Sequence, residues 1–516
     1  MNDDTGHMER QLGLWDVFAI AAGAMISSGL FVLPGLAYAN TGPSVVLAYA
    51  LAAMLYLPSL FSQVELASAM PRSGGSYFSV ERSLGSLAGT VAGLVNWISI
   101  ALKAAFALVG LGTLAQLIFP GAGSWLLKGT AAAAAVLFAV LNLFSSKESG
   151  RLQRLMVFVL LGILAVYILV GFRGVDLQKL TPFTRGETPW LSFFGVTAMI
   201  FVSFGGLNAA MDVSGEVRQP GRNIPIGMFL AFFVVNAVYI LAVFVTVGLL
   251  GNDLLGAGNG SLTPIADGAK VALGMVGLVG ISAASFLAYA TTGNAGIMSA
   301  SRSPMAMSRD GLLPAALSKT HPKLGTPVRS IVLTAVFIMA VVTLLEVEQL
   351  VKTASTMLLL SFAMVNLAVI VMRKVPVQGY RPTFRAPLAP WLQVASIILY
   401  VVLIAEMGWV PLLVTAGALV FSLLWYLTYV HWRIDRESAI VYMVKSILSK
   451  HIGRSRLEDE LVAISLERDD MVTDRFDRLV RDCPVLDIDE RIDAREFFSL
   501  LAEKLAPRLH KSREDL

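Results

Sequence analysis

Lys103 stands in the middle of an apolar run, residues 96–110, NWISIALKAAFALVG. A charge at such a depth costs roughly 2.5–3.5 kcal/mol to insert and marks a functional position by default. Two chemistries fit: a group that loads and loses a proton, or a fixed cation. The structural alternative is a lysine that donates to carbonyls of a broken helix. Two segments carry the composition of a break. Residues 21–31 read AAGAMISSGLF, with Gly23 and Gly29 flanking Ser27 and Ser28. Residues 201–208 read FVSFGGLN. Each glycine costs a helix roughly 1 kcal/mol relative to alanine. Close packing of helices through small residues is the plainer explanation. An unwound stretch explains more, because it frees N–H groups for a carboxylate and carbonyls for an ammonium. A zwitterion matches that pair.

The elements that hold these residues are apolar helices. The chain has 516 residues, 56% hydrophobic and 15% charged, with mean hydropathy +0.70. Soluble domains carry about 25% charged residues, so three soluble domains are excluded. Twelve apolar segments fall at about 14–40, 44–67, 88–116, 129–144, 154–172, 190–213, 225–250, 271–301, 330–345, 350–372, 390–408 and 410–431. In lipid each must satisfy its own backbone, so all are expected to be helices. The first is expected to remain as a span, because no signal-peptide cleavage site follows it. The two interruptions lie in the first and sixth spans, a pointer to an inverted-repeat transporter.

Lysine and arginine set the orientation. One set of short loops carries sixteen, among them Arg72, Arg82, Arg218, Arg222 and Arg302; the opposite set carries five. The richer set is expected inside, with both termini. Residues 1–13 form a cytosolic leader, and 433–516 a charged, amphipathic cytosolic tail, helical with a short extended piece near Cys483–Ile488. Glu65, Asp212 and Glu216 fall near cytoplasmic helix ends, where pairing with Arg72, Arg218, Arg222 or Arg302 would make an inner gate; headgroup solvation is the alternative.

Several signatures in order resemble one family. GAMISSGLF at 23–31 resembles the first-helix break of the amino acid–polyamine–organocation superfamily, whose members share the leucine-transporter-type fold. ELASAMPRSGGSY at 65–77, GEVRQPGRNIPIGM at 215–228, SASRSPMAMSRDGLLP at 299–314, HPKLGTPVRS at 321–330 and YRPTFRAPLAP at 380–390 resemble its characteristic loops and helix ends. The resemblance runs from about Leu12 to Trp432. It implies an all-α, 12-helix, five-plus-five inverted repeat with helices 1 and 6 broken, helices 11 and 12 lying outside the repeats. It also implies site residues. Ser27, Ser28 and Gly29 would offer N–H groups to a carboxylate; Met25, Val202, Ser203 and Gly205 would offer carbonyls to an amino group. Phe201 and Phe204 would gate the site, the alternative being core packing. Thr291 and Thr292 lie where sodium-coupled relatives hold an ion, although bonding to their own helix is the plainer reading. Asn208 stands where many relatives have a glutamate. The helix-5 lysine of proton-coupled relatives has no counterpart in MVFVLLGIL at 156–164. Lys103 is then the remaining coupling candidate.

Other chemistry finds no support. One cysteine excludes a disulfide framework. No phosphate loop, serine elbow or zinc motif occurs, and no basic tract with interleaved aromatics suits nucleic acid. Residues 480–509 faintly resemble the opening of a phosphotransferase-system IIA module without its phosphorylatable histidine; a solvated helical extension is the alternative. The expectation is a multi-pass secondary transporter of amino acids in the cytoplasmic membrane, without cofactor, driven by H+ or Na+ or by exchange. A polyamine carrier ranks lower, because Lys103 would oppose a polycation. A nutrient sensor signalling through the tail, a homodimer and a tail partner stay open.

Overall fold

The computed structural model describes residues 10–72, 74–119, 123–144, 150–184, 189–256, 260–321, 326–375, 380–433, 438–441 and 456–468. Among them the chain is helical, with one isolated bridge, Leu12 to Val217. Each of the twelve apolar segments falls on helix. The first segment is three pieces: α1 (Leu14–Met25), α2 (Ser28–Phe31) and α3 (Leu33–Thr41). There follow α4 (Val45–Ala69), α5 (Gly75–Leu84), α6 (Ser86–Ile118), α7 (Ser124–Phe144) and α8 (Gly150–Gly171). The sixth segment is α9 (Pro189–Ile200), a 3-10 turn at Phe201–Gly205, and α10 (Gly206–Asp212). Then come α11 (Pro220–Leu250), α12 (Pro264–Arg309), α13 (Val328–Leu344), α14 (Val347–Lys374), α15 (Trp391–Ala405), α16 (Trp409–Trp425) and α17 (Arg456–Arg468).

Among the described residues, nine helical stretches are long and apolar enough to cross a membrane. Three further apolar helices are shorter: α1, α13 and α15. For α1 the cause is the break itself, which cuts one span into pieces. The amphipathic α5 is a helix that the apolar pattern does not announce, because its sequence GSYFSVERSL is largely polar. Gly85, at φ 95°, turns the chain directly from α5 into α6, a conformation that only glycine adopts without strain. Gly274 (φ 65°, ψ −148°) likewise interrupts the long α12.

The polar burden sits inside and the apolar skin outside. Val276, Leu169, Val401 and Phe421 are exposed, as side chains facing lipid should be. Ser28, Glu65, Lys103, Asn208 and Asn366 are buried. The helix α6 packs against α7, α12 and α14, and α1 against α10 and α11, which brings the two interrupted segments to the middle of the bundle.

The chain divides into two units, Met1–Ser465 and Leu466–Leu516. The first part of the polar tail thus belongs to the larger unit. Ser438 and Ala439 are buried near Gly85, and Arg82 of α5 grips both carboxylate oxygens of Glu460 on α17, at 2.9 and 2.8 Å. The extended piece near Cys483–Ile488 and the module-like segment 480–509 lie outside the described residues.

Candidate functional site

Helix α1 ends at Met25. Ile26 (φ −75°, ψ 96°) and Ser27 (φ −151°, ψ −142°) leave the helical region, and α2 begins at Ser28. Ile26 N–H still reaches Ala22 O, and helical bonding resumes when Leu30 N–H reaches Ser27 O, both at 2.9 Å. Between those points the backbone has no preceding turn to bond. Side chains from other helices cover its carbonyls instead. The Tyr239 hydroxyl donates to Met25 O at 2.6 Å, and that of Tyr49 to Gly29 O at 2.7 Å. The two tyrosine rings meet edge to face, their centroids 5.8 Å apart. Thr292 Oγ1 donates to Gly23 O at 3.4 Å. Ser28 uses its own hydroxyl on Phe106 O, at 2.8 Å.

The second interruption is tighter. Phe201–Gly205 winds as a 3-10 turn, with residues Ile200, Gly205 and Gly206 all in right-handed helical conformation. A 3-10 turn keeps bonds at i→i+3 and so frees fewer groups than an unwound stretch. Ser355 of α14 holds it: its hydroxyl accepts from Val202 N–H at 3.1 Å and donates to Met199 O at 2.6 Å. Both expected interruptions are thus present, and the second passes from α-helix through a 3-10 turn and back without leaving the right-handed helical region.

The two interruptions touch. A side chain at Gly29 would run into Ser203, and one at Gly206 into the Ala24–Met25 peptide. Beside this contact lies a cavity of about 230 Å³. Gly23, Ala24, Lys103, Gly205, Gly206 and Thr292 line one part of it. Asp212, Glu216 and Arg302 line the part nearer the loop after α10 and the end of α12. Lys103 is 7% exposed, and its Nζ has no hydrogen-bond partner among the described residues. Asp212 accepts from Ser299 Oγ at 3.0 Å.

Of the residues singled out by sequence, Gly23, Lys103, Gly205, Asp212, Glu216, Thr291, Thr292 and Arg302 line the cavity together. Thr291 spends its hydroxyl on its own helix, at Leu287 O and Ala288 O. Met25, Ser27, Ser28, Gly29, Val202, Ser203 and Asn208 are buried close by but are not part of its lining. Asn208 keeps both side-chain polar atoms without a hydrogen-bond partner. Phe201 and Phe204 are fully buried in an aromatic cluster, not at the cavity: Tyr56 stacks on Phe204 at 5.0 Å, and Tyr400 meets Phe201 edge to face at 5.6 Å. Sequence reasoning missed Tyr49, Tyr239 and Ser355, although a hydroxyl inside an apolar run is a usable signal.

A second buried charge lies near the end of α4. Glu65 receives Arg373 Nε at 2.8 Å and Nη2 at 2.6 Å, the Tyr380 hydroxyl at 2.9 Å and Ala386 N–H at 2.7 Å. Burial, and then the carboxylate beside it, holds the Tyr380 phenol well above its ordinary range. The expected partners Arg72, Arg218, Arg222 and Arg302 are not the ones Glu65 takes. Arg373, far along the chain, is.

This geometry can be set against known proteins. The amino acid permease family matches residues 12–432. The chain is 26% identical to a branched-chain amino acid permease of Bacillus subtilis, over 82% of this chain and 93% of the relative. It is 27% identical to the methylthioribose transporter of that bacterium, over 75% and 86%. It is 25% identical to its serine/threonine exchanger, over 77% and 91%. These relatives are transporters and not enzymes. A match of that extent, on a helical bundle with the first span broken where the signature lies, identifies the chain as a member of the amino acid permease family of the amino acid–polyamine–organocation superfamily.

Proposed function

We propose that the protein is a secondary transporter that moves amino acids across the cytoplasmic membrane by alternating access. The observation that carries this reading is the contact of the two interrupted segments beside a cavity that also receives Lys103. In this reading twelve spans form a five-plus-five inverted repeat followed by two peripheral helices, with both termini cytoplasmic. Spans 1, 2, 6 and 7 rock against spans 3, 4, 8 and 9 around the guest. The guest's carboxylate meets the N–H groups of Ser27, Ser28 and Gly29; its ammonium meets carbonyls near Met25, Val202, Ser203 and Gly205. Tyr49 and Tyr239 donate to two of the break's carbonyls and must be displaced or shared when a guest arrives. The cavity reaches Asp212, Glu216 and Arg302, on the side assigned to the cytoplasm, and the buried aromatic cluster of Phe201 and Phe204 is not part of its wall. That is an inward-facing arrangement.

In this reading Lys103 is the coupling group, because a buried lysine beside the cavity can load and lose a proton as the bundle changes state. Proteoliposomes test this. Uptake of labelled amino acid should rise with an inward proton gradient and fall to the uncoupled level in Lys103→Ala. Full gradient-driven uptake by that variant would remove the coupling role.

One observation favours a second reading, a sensor that signals through its tail: the grip of Arg82 on Glu460. Deleting 436–516 discriminates. A transporter keeps most of its flux, whereas a sensor loses its output.

A further inference from the structure

Lys103 Nζ is buried, faces the cavity and has no hydrogen-bond partner. Buried charges are ordinarily paired, because an unpaired one leaves its full desolvation penalty standing. Among the described residues no hydrogen bond or ion pair reaches Lys103 Nζ. Gly205 lies against its stem, and Ala104 is apolar. Ser99, one turn back on α6, donates its hydroxyl to Asn96 O. The acidic residues in the lining are Asp212 and Glu216. Asp212 lies six residues along α10 from Gly206, about 9 Å at the helical rise. It is occupied by Ser299 at 3.0 Å, and Arg302 shares that end of the cavity.

A guest with one carboxylate and one ammonium is already matched by the break, through its N–H groups and carbonyls. Such a guest is neutral and would leave Lys103 as it is. A guest with a second carboxylate would not. We propose that the transported substrate is an acidic amino acid, whose side-chain carboxylate is the missing partner of Lys103. The inference rests on the cavity being the substrate site proposed above. It excludes cationic amino acids and polyamines on the same physical ground, since each would bring a second positive charge to an unscreened lysine.

The test is ligand-induced thermal stabilisation of the purified full-length protein at neutral pH. The ligands are glutamate and aspartate against their neutral near-isosteres glutamine and asparagine, with leucine and lysine as further probes. The expected result is half-maximal stabilisation by the acidic pair at roughly ten- to a hundred-fold lower concentration than by the amides. Lys103→Met should abolish that preference, and Lys103→Arg, which keeps the charge, should retain part of it. Wild-type protein that prefers the amides or leucine would overturn the acidic assignment while leaving amino acid transport intact. An acidic preference that survives in Lys103→Met would overturn it too. Failure of every amino acid to stabilise the protein would bring down the transport reading with it. Should Lys103→Met fail to fold, the wild-type ranking and Lys103→Arg decide.

Discussion

Glu65 and Lys103 are both buried in the bundle, and their surroundings differ completely. Glu65 is fully shielded, and four donors from α14 and the segment after it converge on its two oxygens. Lys103 is nearly as deep, and its Nζ has no hydrogen-bond partner among the described residues. Breaking the first arrangement leaves a guanidinium, a hydroxyl and an amide without their acceptor. Removing the second removes a polar group that makes no hydrogen bond among the described residues. A satisfied buried charge ties helices together; in the reading proposed above, an unsatisfied group beside a cavity receives a guest.

Glu65→Ala is expected to be the most damaging change, about 3–5 kcal/mol, because it orphans the buried partners of a charge. Chemical unfolding in mixed micelles measures it; a variant as stable as wild type would mean that Glu65 locks nothing. Gly206→Ala should cost about 1–3 kcal/mol, since the new methyl group meets the Ala24–Met25 backbone rather than a yielding side chain. Labelled uptake should fall with it; normal flux would show that the two interruptions need not touch. Tyr380→Phe should cost about 0.5–1.5 kcal/mol by removing one donor to Glu65. It should also flatten the alkaline limb of stability. Folded Tyr380 keeps its proton while the unfolded chain loses it near 10.0. Above that pH the unfolded state binds fewer protons, so wild type loses stability as pH rises. Equal alkaline limbs in the two proteins would contradict the burial of that phenol. Lys103→Met should leave unfolding of the ligand-free protein unchanged or slightly delayed, the reverse of Glu65→Ala. A clear loss of stability would mean that Lys103 has a partner in the membrane.

The residues that disturb a helix or a membrane on their own were legible in the sequence. Lys103 breaks an apolar run, and Gly23, Ser27, Ser28 and Gly29 weaken one. The loop signatures carried the family. Local composition could not say whether FVSFGG opens or merely tightens, because a 3-10 turn and an unwound stretch use the same small residues; Ser355, 153 residues away, decides it. The covers over the first break, Tyr49 and Tyr239, come from α4 and α11 and exist only through packing. The partner of Glu65 was misread for the same reason. Arg72 and Arg302 look closer by loop, yet Arg373 is brought to Glu65 by α14, 308 residues on. The gating role of Phe201 and Phe204 rests on the family, since both rings sit in an aromatic cluster away from the cavity.

A structure of the protein in a lipid nanodisc with its best-stabilising amino acid bound is the most direct measurement. The expected map has the guest lodged where residues 23–29 meet 203–206, with a carboxylate oxygen roughly 2.7–2.9 Å from Lys103 Nζ. A guest bound elsewhere, with Lys103 still alone and residues 26–27 wound into a continuous helix, would contradict it.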